Sequence, residues 1–154
     1  PLFGAAAQYA YDAYGLTPIF VAAEKHQDPS ANLLAAAGLT VPHYFLNDAG
    51  GAGTIIGVLS RMEVIVSMRL HALIFAAGQG VPMVGVVYDP KVSGFLDYLG
   101  QDLYLPLEGA SAASLCDLID TAMAEQMFEA ENIRSLRELA AENEELARHL
   151  LTEE

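Results

Sequence analysis

The chain is short of positive charge, of cysteine and of long apolar runs, and each shortage removes a class of function. Seven Lys and Arg stand against 20 Asp and Glu in 154 residues, a formal net charge of −13. Nucleic-acid binders need clustered lysine and arginine to displace counterions from phosphates, so general DNA or RNA binding is excluded. The single cysteine, Cys116, cannot form an intrachain disulfide and fits a reducing cytoplasm. Its apolar neighbours at helical spacing read it as a core thiol rather than a nucleophile. Hydrophobic residues make up 53% of the chain, yet no apolar stretch reaches the roughly 18 residues of a membrane span. The start, Pro1-Leu2-Phe3, lacks the basic segment of a secretory signal and an initiator methionine. The sequence is therefore expected to be part of something longer. Sequence repeats, low-complexity linkers and metal-ligand spacings are all missing.

What is present is a regular alternation of helix and strand patterns. Helices are predicted at 3–14, 29–37, 54–62, 70–77, 90–99, 111–127 and 131–151. Several of them are closed by glycine: Gly15, Gly38, Gly78 and Gly100. Strands are predicted at 18–23, 41–46, 63–67, 81–88 and 103–105. Short apolar strands without polar alternation, separated by single helices, point to a parallel sheet covered on both faces. The expected fold is α/β: a Rossmann-like, doubly wound parallel sheet of about four to five strands, ending in two C-terminal helices. One domain fits the length. The pattern opens on a helix where such domains usually open on a strand, so an earlier strand is expected outside this chain.

The acidic residues concentrate after Glu108 and read as a solvated helical face. In the last helix, Ile133, Leu136, Leu139, Ala140, Asn143, Leu146, Ala147 and Leu150 share one stripe. Packing against its own domain is the simpler expectation; reaching another domain or subunit is the alternative.

Ligands of open α/β sheets bind beyond the carboxyl ends of the strands, where helix N-termini present free N–H groups. Ser67, Met68, Arg69, Leu70 and His71 follow the third strand, and Tyr88, Asp89, Pro90 and Lys91 follow the fourth. Asp89 is a natural N-cap and Pro90 a natural first helical residue. A cation in the first helical turn opposes the helix dipole, and both Arg69 and Lys91 stand in that position. Two such placements at adjacent strand ends imply a bound anion. His71, two residues from Arg69, is the candidate proton carrier. The competing readings are an ion pair for Arg69, a solvated charge for Lys91 and a buried structural role for His71. The polar run Glu24-Lys25-His26-Gln27-Asp28 follows the first strand and faces the same edge, with a plain loop as its equal alternative. The glycine-rich Asp48–Gly53 segment has neither dinucleotide-binding nor Walker spacing and reads as a flexible connection. His43 and His149 show no partner in the sequence and receive no role.

The ordered series Val64-Ile65-Val66-Ser67-Met68-Arg69-Leu70-His71, then Gly80-Val81-Pro82, then Tyr88-Asp89-Pro90-Lys91-Val92 resembles the C-terminal half of the polysaccharide pyruvyl transferase family. The resemblance covers about residues 15 to 105. It implies the second domain of a two-domain, GT-B-like enzyme whose N-terminal domain, absent here, carries the acceptor and part of the donor cleft. The implied activity moves the enolpyruvyl unit of phosphoenolpyruvate onto two hydroxyls of a sugar, leaving a cyclic pyruvate ketal and releasing phosphate. The implied acceptor is a sugar of a bacterial cell-surface polysaccharide, in some cases a lipid-linked cell-wall precursor. That places the enzyme in the cytoplasm, peripheral to the inner membrane face. No cofactor is implied beyond the donor substrate. By the same resemblance Arg69, Leu70 and His71 are donor-site residues, with Ser67 and Met68 beside them and Tyr88, Asp89 and Lys91 from the second motif. A domain missing its partner would leave an apolar face uncovered, so self-association is expected. Two rivals stay open: the nucleotide-sugar half of a GT-B glycosyltransferase, and a non-catalytic α/β interaction module.

Overall fold

The computed structural model describes residues 2–24, 26–48, 50–124 and 130–152. Helices and strands alternate as α1 (Leu2–Tyr14), β1 (Ile19–Val21), α2 (Asp28–Ala36), β2 (Tyr44–Leu46), α3 (Ala52–Leu59), β3 (Ile65–Ser67), α4 (Leu70–Gln79), β4 (Met83–Val87), α5 (Pro90–Tyr98), β5 (Tyr104–Pro106), α6 (Ala112–Ala124) and α7 (Ala130–Thr152). Every strand pair is parallel, as the Rossmann-like expectation requires. The pairs fall into two ladders, β1 with β2, and β3–β4–β5.

Helix contacts sort the helices onto two sides. α1 packs on α6 and α2, whereas α4 packs on α3 and α5. β4 is contacted by α4 and α5 and also by α6, so it is covered from both sides. Its residues Met83, Val84 and Val86 are fully buried, with Leu73, Leu96, Leu115 and Ile119 around them. A near-continuous apolar strand such as β4 is what a doubly covered sheet demands.

The strands are shorter than their apolar runs. Pro18, Pro42 and Pro82 stand inside the predicted strands and have no N–H to give a ladder. The observed strands therefore begin at Ile19, Tyr44 and Met83. Pro82 still contributes its carbonyl, which accepts from Ile65 N at 2.8 Å. The β1–β2 ladder corrects the expectation of a buried first strand: Ile19 and Tyr44 are exposed and none of its residues is fully buried.

Helix α4 runs past Gly78 and stops at Gly80, whose φ of 69° is left-handed. The amides of Gly80 and Val81 turn back to the carbonyls of Ala77 and Ala76, closing the helix end. Helix α3 starts two residues before the predicted Thr54, because the Gly51 carbonyl accepts from Thr54 and Ile55. Gly85 is needed for packing: a Cβ there would lie 2.5 Å from Leu96 Cδ1 and 3.1 Å from Tyr104 Cβ.

In the last helix the predicted stripe divides: Ile133 is half-buried, whereas the later positions face solvent. Ala140, Asn143, Leu146, Ala147 and Leu150 are exposed, and Arg137 Nη2 holds the helix to the body through the Gly78 carbonyl at 2.6 Å. Leu136 and Leu139 lie outside the described side chains. Residues 125–127 of the predicted sixth helix, and Lys25 and Ala49 of the predicted loops, also lie outside the described residues.

Candidate functional site

The turn between β3 and α4 is built by Ser67. Its Oγ accepts from Arg69 N at 2.9 Å, which bends the chain out of the strand and into the helix. Arg69 occupies the N-cap position with extended φ/ψ and supplies no side-chain cap. The helix ladder begins only with the amides of Ala72 and Leu73, both bonded to the Arg69 carbonyl. The amides of Leu70 and His71 thus precede the ladder, and the positive end of the dipole is not neutralised by a capping side chain.

Arg69 does have an internal partner. Its Nη2 pairs with Asp28 Oδ1. Asp28 opens α2 and is buried, at 9% exposure. Its other oxygen accepts from the backbone amides of Ala23 (3.0 Å) and Glu24 (2.8 Å), which hold the turn after β1. The bond to Asp28 raises the Arg69 pKa, against the smaller opposing effect of partial burial. The guanidinium side chain remains 41% exposed. Arg69 therefore ties the carboxyl end of β3 to the chain after β1, across the break between the two ladders. In open α/β sheets, ligands sit beyond the carboxyl ends of the strands, where Arg69 stands.

The β4–α5 junction is organised differently. Asp89 caps α5, its Oδ1 accepting from Lys91 N at 3.0 Å. That backbone bond lowers the Asp89 pKa, with Lys91's charge assisting. Lys91 Nζ lies 3.4 Å from Asp89 Oδ2 and 5.7 Å from the centre of the Tyr88 ring. The α5 N-terminus is thus already filled by a carboxylate, while that of α4 is open. Each cation also has a carboxylate of its own, so the cost of placing it at a helix start is met within the chain.

Register brings the two junctions to one edge, since Ser67 lies opposite Gly85 in the parallel β3–β4 ladder. His71 is exposed in the first turn of α4, its ring centroid 6.5 Å from that of Phe75. The alternative of a buried structural histidine is thereby removed. Met68 and Leu70 are half-buried and pack against the core, so their side chains support the turn. His43, given no partner in the sequence, bonds through Nδ1 to the Val41 carbonyl at 2.9 Å and packs edge-on against Phe20 and Phe45.

An open cleft of about 500 Å³ lies at the ends of β4 and β5, lined by Tyr88, Asp89, Ser93, Pro106, Leu107 and Glu108 among others. Arg69, His71 and Lys91 do not line it. The fifth strand is expected at 103–105, but nothing in the sequence marks Pro106, Leu107 and Glu108 after it as lining a cleft. Sequence patterns also missed the Asp28–Arg69 pair. An acid before Pro29 marks a helix start but does not say which distant cation it meets.

The parallel α/β unit, with an arginine, a histidine and an uncapped helix N-terminus at one sheet edge, is Rossmann-like in its alternation of helices and parallel strands. More narrowly, the chain belongs to the polysaccharide pyruvyl transferase family, whose family model matches residues 12–90, about half its length. The match spans Ser67–His71 and Tyr88–Pro90 and ends before Lys91. Comparison with curated proteins and with solved structures gives no match.

Proposed function

We propose that the chain carries the donor side of a ketal pyruvyl transferase, which moves the enolpyruvyl group of phosphoenolpyruvate onto two hydroxyls of a saccharide. The observation that carries this reading is Arg69, anchored by buried Asp28 yet 41% exposed beside the open α4 N-terminus. Phosphoenolpyruvate brings a carboxylate and a phosphate. Arg69 can bind one of them through charge-assisted hydrogen bonds, with the amides of Leu70 and His71 behind it. Lys91 serves as a second, more mobile clamp once it leaves Asp89, and Tyr88, Asp89, Ser67, Met68 and Leu70 shape the seat.

In the chemistry, His71 gives a proton to the methylene carbon, which becomes a methyl group, and C2 becomes oxocarbenium-like. One sugar hydroxyl bonds to C2 and loses its proton. Cleavage of the bond between C2 and the bridging oxygen then releases phosphate; the second hydroxyl bonds to C2 and closes the ketal, its proton leaving with the phosphate while that of the first hydroxyl returns to His71. An N-terminal domain, with the bulk of a cell-surface or lipid-linked acceptor, completes the enzyme in this reading. The site of action is cytoplasmic, at the membrane face where such acceptors are presented.

Calorimetric titration of this chain with phosphoenolpyruvate tests the donor assignment. Arg69→Ala is expected to weaken binding by about 10- to 100-fold, the worth of charge-assisted hydrogen bonds. Tighter binding of a UDP-sugar than of phosphoenolpyruvate would reject the reading in favour of a glycosyltransferase. In an enzyme competent for turnover, His71→Ala is expected to lower kcat by about 10²- to 10⁴-fold with a smaller change in KM.

A further inference from the structure

Helix α7 carries a repeat that the body of the domain does not use. Leu136, Leu139, Asn143, Leu146 and Leu150 follow one another at intervals of three, four, three and four residues. That alternation fixes a single heptad register in the sequence, with Leu136, Asn143 and Leu150 at a and Leu139 and Leu146 at d. The charges agree with it. Arg134, Arg137, Glu138, Glu144, Glu145 and Arg148 all fall at b, c or f, away from the a/d seam. The ion pairs Arg134–Glu138 and Arg148–Glu144 run along that outer side. Ala140 and Ala147 flank the seam at e, small enough to let a second helix come close.

The body holds only the start of this helix. Ile133 is half-buried, and Arg137 donates to the Gly78 carbonyl at 2.6 Å. Arg137 stands at b, roughly 130° round the helix from the middle of the seam, so the attachment and the seam lie on different sides. From Ala140 to Leu150 every residue is exposed, with Leu146 at 62% and Leu150 at 67%.

A seam of this composition is complementary to itself. In a parallel pair of helices a faces a, so Asn143 meets the same asparagine and the two amides bond to each other. In an antiparallel pair a faces d, and the amide would be buried against a leucine with its hydrogen bonds unmade. A plain apolar groove would desolvate Asn143 in the same way. A lipid surface is a poorer occupant still, because the helix carries five Glu against three Arg and lacks the basic polar face of membrane-surface helices.

We propose that α7 joins a second copy of this chain as a short, parallel, two-stranded coiled coil in which Asn143 bonds to its counterpart. The proposal goes beyond the donor reading and stands or falls without it. From Leu136 to Leu150 the seam is about 22 Å long, and it buries less than the roughly 800 Å² per partner of a standard interface. Standard interfaces bind at micromolar Kd or tighter, so this smaller one has an expected Kd on the order of 100 µM. Well below that concentration the chain is monomeric, and unfolding of its body does not depend on the seam.

Sedimentation equilibrium of the full chain between about 10 µM and 1 mM tests the association. The average mass is expected to rise from the 16.4 kDa monomer toward twice that value. Leu146→Glu with Leu150→Glu should weaken the association by more than about tenfold. Glutamate is nearly as good a helix former as leucine, and an unchanged amide NMR spectrum of the body separates lost association from lost fold. Asn143→Leu should tighten it by about tenfold, since the asparagine is costly to bury. Orientation is read by oxidation of Leu150→Cys in a Cys116→Ser chain. A disulfide joins Cα atoms about 4.4–6.8 Å apart, a condition that position 150 meets in a parallel pair and misses in an antiparallel one. A chain still monomeric at about 1 mM overturns the proposal, as does a dimer indifferent to Leu146→Glu with Leu150→Glu. A dimer that does not cross-link through position 150 overturns it as well.

Discussion

Both carboxylate oxygens of Asp28 are engaged, one by the amides of Ala23 and Glu24 and the other by Arg69. Neutralising this residue should therefore act on stability and on the site together. Asp28→Asn keeps the shape but turns one acceptor into a donor facing N–H groups. It is expected to cost about 1–3 kcal/mol, read from the midpoint of urea unfolding. The ion pair itself is a small part of that, because Arg69 is well solvated. The same variant should bind phosphoenolpyruvate more weakly, since Arg69 loses its anchor. An unchanged midpoint would show that the buried carboxylate is not structural. Gly85 makes a second expectation at this scale. Gly85→Ala forces a methyl group against Leu96 and the Tyr104 Cβ, and overpacking of this kind costs about 1–3 kcal/mol. Thermal unfolding would reveal it as a lowered Tm with the fold retained.

Among the elements, the α1–α6 contact is tied by a partly buried polar cluster. Tyr9 donates to both Asp120 oxygens at 2.7 Å, and Tyr14 donates to Oδ1 at 2.6 Å. The hydrogen bond to Asp120 is the main reason the Tyr9 pKa is pushed up to about 12. The bonds from Tyr14 and Tyr9 lower that of Asp120. For a raised tyrosine pKa the stabilisation is whole below the ordinary value near 10 and is lost as pH climbs through about 12. For a lowered carboxylate pKa it is present above the ordinary value of 3.8 and fades as pH falls below it. The Tm difference between the natural chain and Tyr9→Phe should thus be largest near neutral pH and shrink toward both extremes. A difference flat across the whole range would remove the cluster from the stability of this contact.

Helix α7 behaves otherwise. Leu146 and Leu150 are 62% and 67% exposed. Replacing both with Gln should move the unfolding midpoint by less than about 0.5 kcal/mol. A loss of several times that size would mean that the helix packs on something in solution.

Across the whole molecule, burial is uneven. β4 lies between helices on both sides, whereas the β1–β2 ladder is only half-buried and, among the described residues, forms a sheet of its own. Amide exchange should follow that division. The Val84 and Val86 amides are expected to exchange only on global opening, and those of Phe20 and Phe45 through cheaper local openings. Equal protection of the two ladders would show a single cooperative sheet.

The alternating pattern of short apolar runs was enough to read a parallel α/β fold, because strand and helix periodicities are local properties of the chain. Strand lengths were overestimated at Pro18, Pro42 and Pro82, where apolar character continues but a ladder donor is missing. The motif around Arg69, His71 and Asp89-Pro90 was likewise legible, since capping and charge near a helix start depend on neighbours in sequence. What the sequence by itself determined is therefore the element order, the family and the residues at the sheet edge. The tertiary structure alone decided that Arg69 is held by Asp28, 41 residues away. It also decided that Tyr88 borders a cleft with Glu108. Those facts depend on which distant segments the crossovers bring together, and no spacing along one chain encodes that.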